Sequence, residues 1–301
     1  MLNLINILND LGEIKHNISI KTLTSFKIGG IADYVFYPTD ISSLSKSLSL
    51  LNEHNIPYKI WGMGSNILAS DDDYHGVIIK LDKTLNTIEI NGNQIRVGAG
   101  ASLIALAYKT CLLGLSGFEY ATGIPGSVGG ALYMNAGAYK HDTYEVLKRI
   151  YVYKDGECVW MNKEEIVFSY RHTSFADHKN WIILEAEFEC TFGSASDIEK
   201  IVNDRKIRRT QSQPLNLPSA GSVFRNPEGI LAWQIIDQVG LRGKRIGGAM
   251  FSEIHSNFIV NVDNAKAKDV LDLVQLALRL IVEKYGIVLN PEIELFNWSV
   301  K

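Results

Sequence analysis

Three glycine-rich runs could wrap an anion in backbone: Gly62-Met63-Gly64-Ser65-Asn66, Gly98-Ala99-Gly100 and Gly123-Ile124-Pro125-Gly126-Ser127-Val128-Gly129-Gly130. Without a Cβ, glycine lets N–H groups approach and surround a phosphate. Taken alone, Gly98-Ala99-Gly100 reads as an ordinary turn. The run from Gly123 has more glycine and proline around Ser127 than turn geometry requires, and points to phosphate binding. The first run follows a β-rich stretch, which invites a dinucleotide fold. However, its sixth position is Ile67, and the acidic stretch from Leu68 to Gly76 has no helical stripe. A Rossmann site needs a helix N-terminus directly after its loop, so that fold is disfavoured.

Other residues bring chemistry of a different kind. Arg171 stays charged and can grip a carboxylate through two bonds, though by itself it reads as an arginine bracing a loop. Ser222, in a Gly-Ser turn, could donate a proton or simply cap a turn. Glu292 is expected on the polar face of a final strand, opposite Ile293, with Glu294 beside it as a rival acid. The cluster Arg205, Lys206, Arg208 and Arg209 fits either a diphosphate site or a solvated helix face. The seven histidines show no zincin spacing and Asp71-Asp72-Asp73 lacks a calcium-loop pattern, so no metal is expected.

These residues need elements to hold them. Asp40 should cap a helix with the stripe Ile41, Leu44, Leu48 and Leu51. Strands are expected at Tyr34–Tyr37, Tyr58–Trp61 and Val77–Leu81. Beyond Thr84 strands dominate, with Ala101–Leu113 as a helix and Lys154-Asp155-Gly156-Glu157 as a hairpin turn. After Ser194 helices return: Ser196 should cap one carrying Ile198, Ile201 and Val202. Asp263–Tyr285 is the clearest, with Val282 on its stripe and Gly286 closing it. A final strand should place Ile287, Leu289, Ile293 and Leu295 on one face. Leu4, Leu8 and Leu11 suggest a short opening helix rather than a signal peptide. The expected class is α+β, in three parts.

Composition narrows the function further. The 301 residues are 46% hydrophobic and 21% charged, enough for a full core. A net charge of −3 disfavours nucleic acid as the main partner. Three scattered cysteines argue against a disulfide framework and for a reducing compartment. No apolar run nears the ~20 residues that span a bilayer. A cytoplasmic protein is expected.

Seven segments, weak singly, form a pattern in order: Thr24–Gly30; Gly62–Asn66; Gly123–Gly130 with Asn135-Ala136-Gly137-Ala138-Tyr139; Phe168-Ser169-Tyr170-Arg171; Ser219–Pro227; Ile246–Ala249; and Asn290-Pro291-Glu292. Together they resemble the UDP-N-acetylenolpyruvoylglucosamine reductase family over nearly the whole chain. The short path from Arg208-Arg209 to Pro227 resembles the shorter subtype, which lacks a tyrosine-bearing insertion.

The resemblance implies a two-subdomain FAD-binding region of the vanillyl-alcohol-oxidase type at 1–83 and 84–193, followed by a substrate domain at 194–301. It places the FAD pyrophosphate against Gly62, Met63, Gly64, Ser65 and Asn66, and against Gly123, Ile124, Pro125, Gly126, Ser127, Gly129 and Gly130. The implied substrates are NADPH and UDP-N-acetylglucosamine enolpyruvate, reduced to UDP-N-acetylmuramate for peptidoglycan precursor synthesis. In that scheme Arg171 stabilises the enediolate, Ser222 donates the proton to carbon, and Glu292 shares a proton with the substrate carboxylate. Arg209, Asn226 and Gln238 contact the sugar nucleotide.

Overall fold

Local rules account for most elements. The Asp40 carboxylate accepts the Ser43 N–H at 2.7 Å and starts the helix Ile41–Glu53, which buries Leu44, Leu48 and Leu51. Asp155 and Gly156, both at positive φ, turn the hairpin between Leu147–Lys154 and Glu157–Asn162. Gly286, at φ +66°, closes the helix Ala267–Tyr285. The computed structural model describes residues 2–178 and 180–298, the side chains of residues 2–6 excepted. Leu4, expected on the opening helix stripe, therefore has a side chain outside the described residues; Leu8 is buried as expected.

The chain divides into two units, one of Met1–His16, Tyr34–Met63 and Gly76–Ile207, the other of Asn17–Asp33, Gly64–His75 and Arg208–Lys301. The first contains a five-stranded antiparallel sheet in the order Glu157–Asn162, Leu147–Lys154, Ile182–Glu189, Gln94–Gly98, Ile88–Asn91. Its core gathers Phe118, Tyr120, Tyr144 and Phe188 with the buried faces of Ile41–Glu53 and Leu103–Leu112. A parallel pair, Tyr58–Trp61 with Tyr74–Lys80, forms one side of a four-stranded sheet. In the second unit the sheet runs Ser219–Ser222, Phe258–Asn261, Ala249–Phe251, Arg245–Ile246. It shares a core with the stripe Val270, Leu273, Val274, Ala277 and Ile281 of Ala267–Tyr285. Helices and antiparallel sheets coexist in both units, the expected α+β class.

Several expectations need correction. The strand Gly12–Ser19 escapes a pattern reading because it is mostly exposed or half-buried and has little apolar alternation. A helix at Val128–Met134 joins Leu103–Leu112 among the strands of the middle region. Ser196 lies inside the helix Ala195–Ser212, and the Ser194 carbonyl takes the first bonds instead. Ile201 there is 40% exposed, and Val282 is 43% exposed on the later helix, so both stripes are narrower than expected. The later helix also begins at Ala267 rather than Asp263, because Asn261 and Asp71 accept the N–H groups of Ala265 and Ala267 at its threshold. The final strand is only Glu294–Phe296. Leu295 is 53% exposed and Phe296 takes the inward place, since the strand pairs in parallel with Ile67–Ala69 rather than running on from Ile287.

Candidate active site

In the first unit Gly62 and the runs from Gly98 and Gly123 converge. Ser102 and Ser127 form a β-bridge, with Leu103 N–H donating to Gly126 and Val128 N–H to Ala101. Gly129 donates to Ala99 at 2.8 Å. A Cβ on Gly129 would sit 2.9 Å from that of Ala99, and one on Gly62 would sit 2.3 Å from Ser127 Oγ. Gly129 thus permits close approach to the Ala99 backbone, and Gly62 leaves room for the Ser127 hydroxyl. Ser127 then caps the helix Val128–Met134, its Oγ accepting from Gly130 N–H at 3.2 Å. Gly98 and Gly100 serve packing: a Cβ at either would meet the carbonyl of Leu85 or Leu81. The N–H groups of Met63, Gly126 and Ser127 donate to no acceptor among the described residues. Met63 is exposed, Gly126 half-buried and Ser127 buried; open donors of this kind beside close-packed glycines fit a phosphate or pyrophosphate ligand. The run Gly62–Asn66 leads into the strand Ile67–Ala69, not a helix, which removes the Rossmann alternative.

Arg171 is the second residue of a two-residue hairpin turn between Phe168–Ser169 and His172–Thr173, at φ +57°. Its Nη1 donates to the Asn135 carbonyl at 3.2 Å and its Nη2 to that of Gly137 at 2.6 Å. Asn135 itself is buried and left-handed at φ +42°, closing the helix that follows the long glycine run. Its Nδ2 donates to Asp142 Oδ2 at 3.2 Å and to the Ser169 carbonyl at 3.0 Å. One asparagine thus ties the hairpin strand to the loop that holds the guanidinium.

Ser222 and Glu292 are brought together in the second unit. Gly221, at φ +78°, and an irregular register between Ser219 and Ser222 turn the end of the strand beside Phe258. Val223 N–H donates to the Asn257 carbonyl and Val223 O accepts from Glu292 N–H, both at 2.8 Å. Phe224 bridges to Pro291, and Arg225 N–H donates to Asn290. Glu292 thus sits in an irregular segment before the last strand, not on a strand face as expected. Asn66, from the first glycine run, donates through Nδ2 to the Glu292 carbonyl at 3.0 Å and accepts from Glu294 N–H at 2.8 Å.

The remaining residues are spread out. Asn226 Oδ1 accepts Ala232 N–H at 2.9 Å, the first residue of the helix Ala232–Gln238. Gln238 is exposed at the other end, about 10 Å away for a helix of that length. Arg209 is half-buried on Ala195–Ser212, while Arg205 on that helix stacks on the Tyr139 ring at 4.8 Å. Arg171 belongs to the first unit; Ser222, Glu292, Arg209, Asn226 and Gln238 belong to the second. Two residues were missed by pattern reading. Asn135 had a signal, since asparagine tolerates the left-handed region that ends a helix. Lys80 had a fainter one, a lysine closing the otherwise apolar run Val77-Ile78-Ile79.

Comparison with known proteins follows this division. Residues 32–162 match the model of the FAD binding domain, and residues 213–296 that of the UDP-N-acetylenolpyruvoylglucosamine reductase C-terminal domain. The UDP-N-acetylenolpyruvoylglucosamine reductase of Halalkalibacterium halodurans is 44% identical over 288 residues, 95% of each chain. UDP-N-acetylenolpyruvoylglucosamine reductase 1 of Bacillus cereus is 41% identical over 289 residues, 96% of each. The crystal structure of the Thermus caldophilus reductase superposes with a TM-score of 0.81 at 32% identity, covering 95% of this chain and 99% of that one.

Proposed function

Because the chain belongs to the UDP-N-acetylenolpyruvoylglucosamine reductase family, we propose that Arg171, Ser222 and Glu292 conduct its reaction beside FAD held by the two longer glycine runs. The enzyme is an FAD-dependent oxidoreductase that uses NADPH to reduce the enolpyruvyl group of UDP-N-acetylglucosamine enolpyruvate, giving UDP-N-acetylmuramate for peptidoglycan synthesis. When bound, FAD supplies hydride transfer from NADPH to the terminal carbon of the enol-ether double bond.

The chain's own residues handle charge and proton. Hydride addition leaves negative charge on the carbon next to the substrate carboxylate, delocalised as an enediolate. The Arg171 guanidinium, oriented by the Asn135 and Gly137 carbonyls, stabilises that charge. Ser222 gives its proton to that carbon, and Glu292 shares a proton with the carboxylate oxygens. Arg209, Asn226 and Gln238 are assigned to the sugar nucleotide, with Asn226 contributing what its helix-start bond leaves free. By role we divide the chain into FAD-binding subdomains at 1–83 and 84–193 and a substrate domain at 194–301. We place the enzyme in the cytoplasm, where NADPH is available. Cys111, Cys158 and Cys190 are unpaired, and no described helix is long and apolar enough to cross a membrane.

The observation that supports this reading most is the main-chain bond from Glu292 to Val223, the residue after Ser222, which ties together the segments of two catalytic candidates 70 residues apart in sequence. Anaerobic mixing of NADPH-reduced protein with UDP-N-acetylglucosamine enolpyruvate tests it: flavin reoxidation with release of UDP-N-acetylmuramate is expected. Rapid reoxidation by oxygen and indifference to the sugar nucleotide would mean an oxidase instead. A protein that takes up no FAD would be a flavin-free binding module.

Two predictions arise here. Gly62→Ala forces Ser127 Oγ to move and disturbs both glycine runs. FAD affinity should fall at least ~10-fold, about 1.4 kcal/mol, in fluorescence titrations; unchanged affinity would separate Gly62 from the cofactor. Asn135→Ala removes the amide bonds to Asp142 and Ser169 and leaves at positive φ a residue that tolerates it less well than asparagine. It should lower kcat about 10- to 100-fold through misplacement of Arg171, with NADPH-driven flavin reduction unchanged. A matching loss in both half-reactions would mean general disruption.

A further inference from the structure

The strand Tyr74–Lys80 is buried along Val77, Ile78 and Ile79, and it ends on a lysine that is itself only 5% exposed. Trp61 pairs with Lys80 in parallel register, so both strands finish at one level, where the chain turns into Gly62. The Lys80 ammonium donates to the Gly62 carbonyl at 2.6 Å. Asp82 Oδ2, 3.6 Å away, forms an ion pair with the ammonium. An ammonium has three protons to give, and burial of a positive charge is costly unless it is matched. Burial accordingly depresses the Lys80 pKa, with Asp82 opposing the shift. The Gly62 carbonyl that Lys80 holds belongs to the run whose first glycine lies against Ser127, where a Cβ would collide with the hydroxyl. The Gly62 carbonyl takes one proton and Asp82 balances part of the charge, which leaves the ammonium a donor to spare beside the glycine run.

We propose that Lys80 is a cofactor-binding residue, its ammonium supplying the positive charge that the glycine runs lack for the FAD pyrophosphate. This rests on the assignment of those runs to FAD and deepens it: backbone amides give shape and weak polarity, while the lysine contributes a full charge. The alternative role, bracing the Gly62 carbonyl, needs a donor but no charge. Lys80→Gln separates the two, because an amide N–H still reaches a carbonyl.

The test uses the full-length protein stripped of FAD and titrated with FAD by fluorescence at low and high salt. Lys80→Gln should bind about 10- to 100-fold more weakly, as expected for loss of one charge-assisted contact. Its affinity should also depend less on salt than the wild type's. Lys80→Arg, which keeps the charge, should stay within a few-fold of wild type and covers the case of a Gln variant that fails to fold. Wild-type affinity in Lys80→Gln, or weaker binding with an unaltered salt dependence, would overturn the charge assignment and leave only a brace. Failure of the wild-type protein to bind FAD would instead sink the underlying cofactor assignment.

Discussion

Ser222→Ala should leave NADPH-driven bleaching of the flavin near its wild-type rate while lowering formation of UDP-N-acetylmuramate by about 10²–10⁴-fold, the usual contribution of a well-placed general acid. The asymmetry follows from when the proton is needed: hydride transfer from NADPH requires none from Ser222, whereas the enediolate carbon must receive one. The structure supports a clean experiment. The main chain around Ser222 is set by the Gly221 turn, the bond from Val223 to Asn257 and that from Glu292 to Val223, none of which involves Oγ. Alanine therefore removes the hydroxyl and little else. Stopped-flow absorbance resolves the two half-reactions; equal slowing of both would refute the role.

Arg171→Lys should lower kcat by about 10²–10³-fold, or roughly 3–4 kcal/mol, the loss seen when one donor to a developing oxyanion is removed. Lysine keeps the charge and has three protons, but it lacks the planar fork that spans two carbonyls and still presents a flat edge to a third group. Arg171 uses Nη1 on Asn135 and Nη2 on Gly137, which orients the planar guanidinium. Because the residue lies in a hairpin turn and not in either core, the melting temperature should stay close to wild type. Steady-state kinetics with a thermal melt decides the matter. A lysine variant with near-normal kcat would reduce Arg171 to a loop brace.

Much of this was legible along the chain. The glycine runs, the Asp155-Gly156 hairpin, the Asp40 cap and the long helix closed by Gly286 depend on contacts between residues a few positions apart. Local chemistry specifies them without knowledge of the rest of the fold. The same locality explains the misses. Whether Leu295 or Phe296 faces inward depends on the parallel partner Ile67–Ala69, more than 200 residues distant. No periodicity within the last strand contains that information.

The site divides along the same line. Sequence alone determined which chemistry was available: loops that admit phosphate, a guanidinium, a hydroxyl and a carboxylate in an order that resembles one family. Only the tertiary structure decided who meets whom. It joined Val223 to Glu292 and Asn66 to the same segment, engaged the Asn226 side chain at a helix start, and gave Asn135 and Lys80 work that their immediate neighbours do not announce. The physical reason is that strand partners and buried polar contacts are selected by main-chain hydrogen bonding and packing between distant segments, which become neighbours only when the cores form.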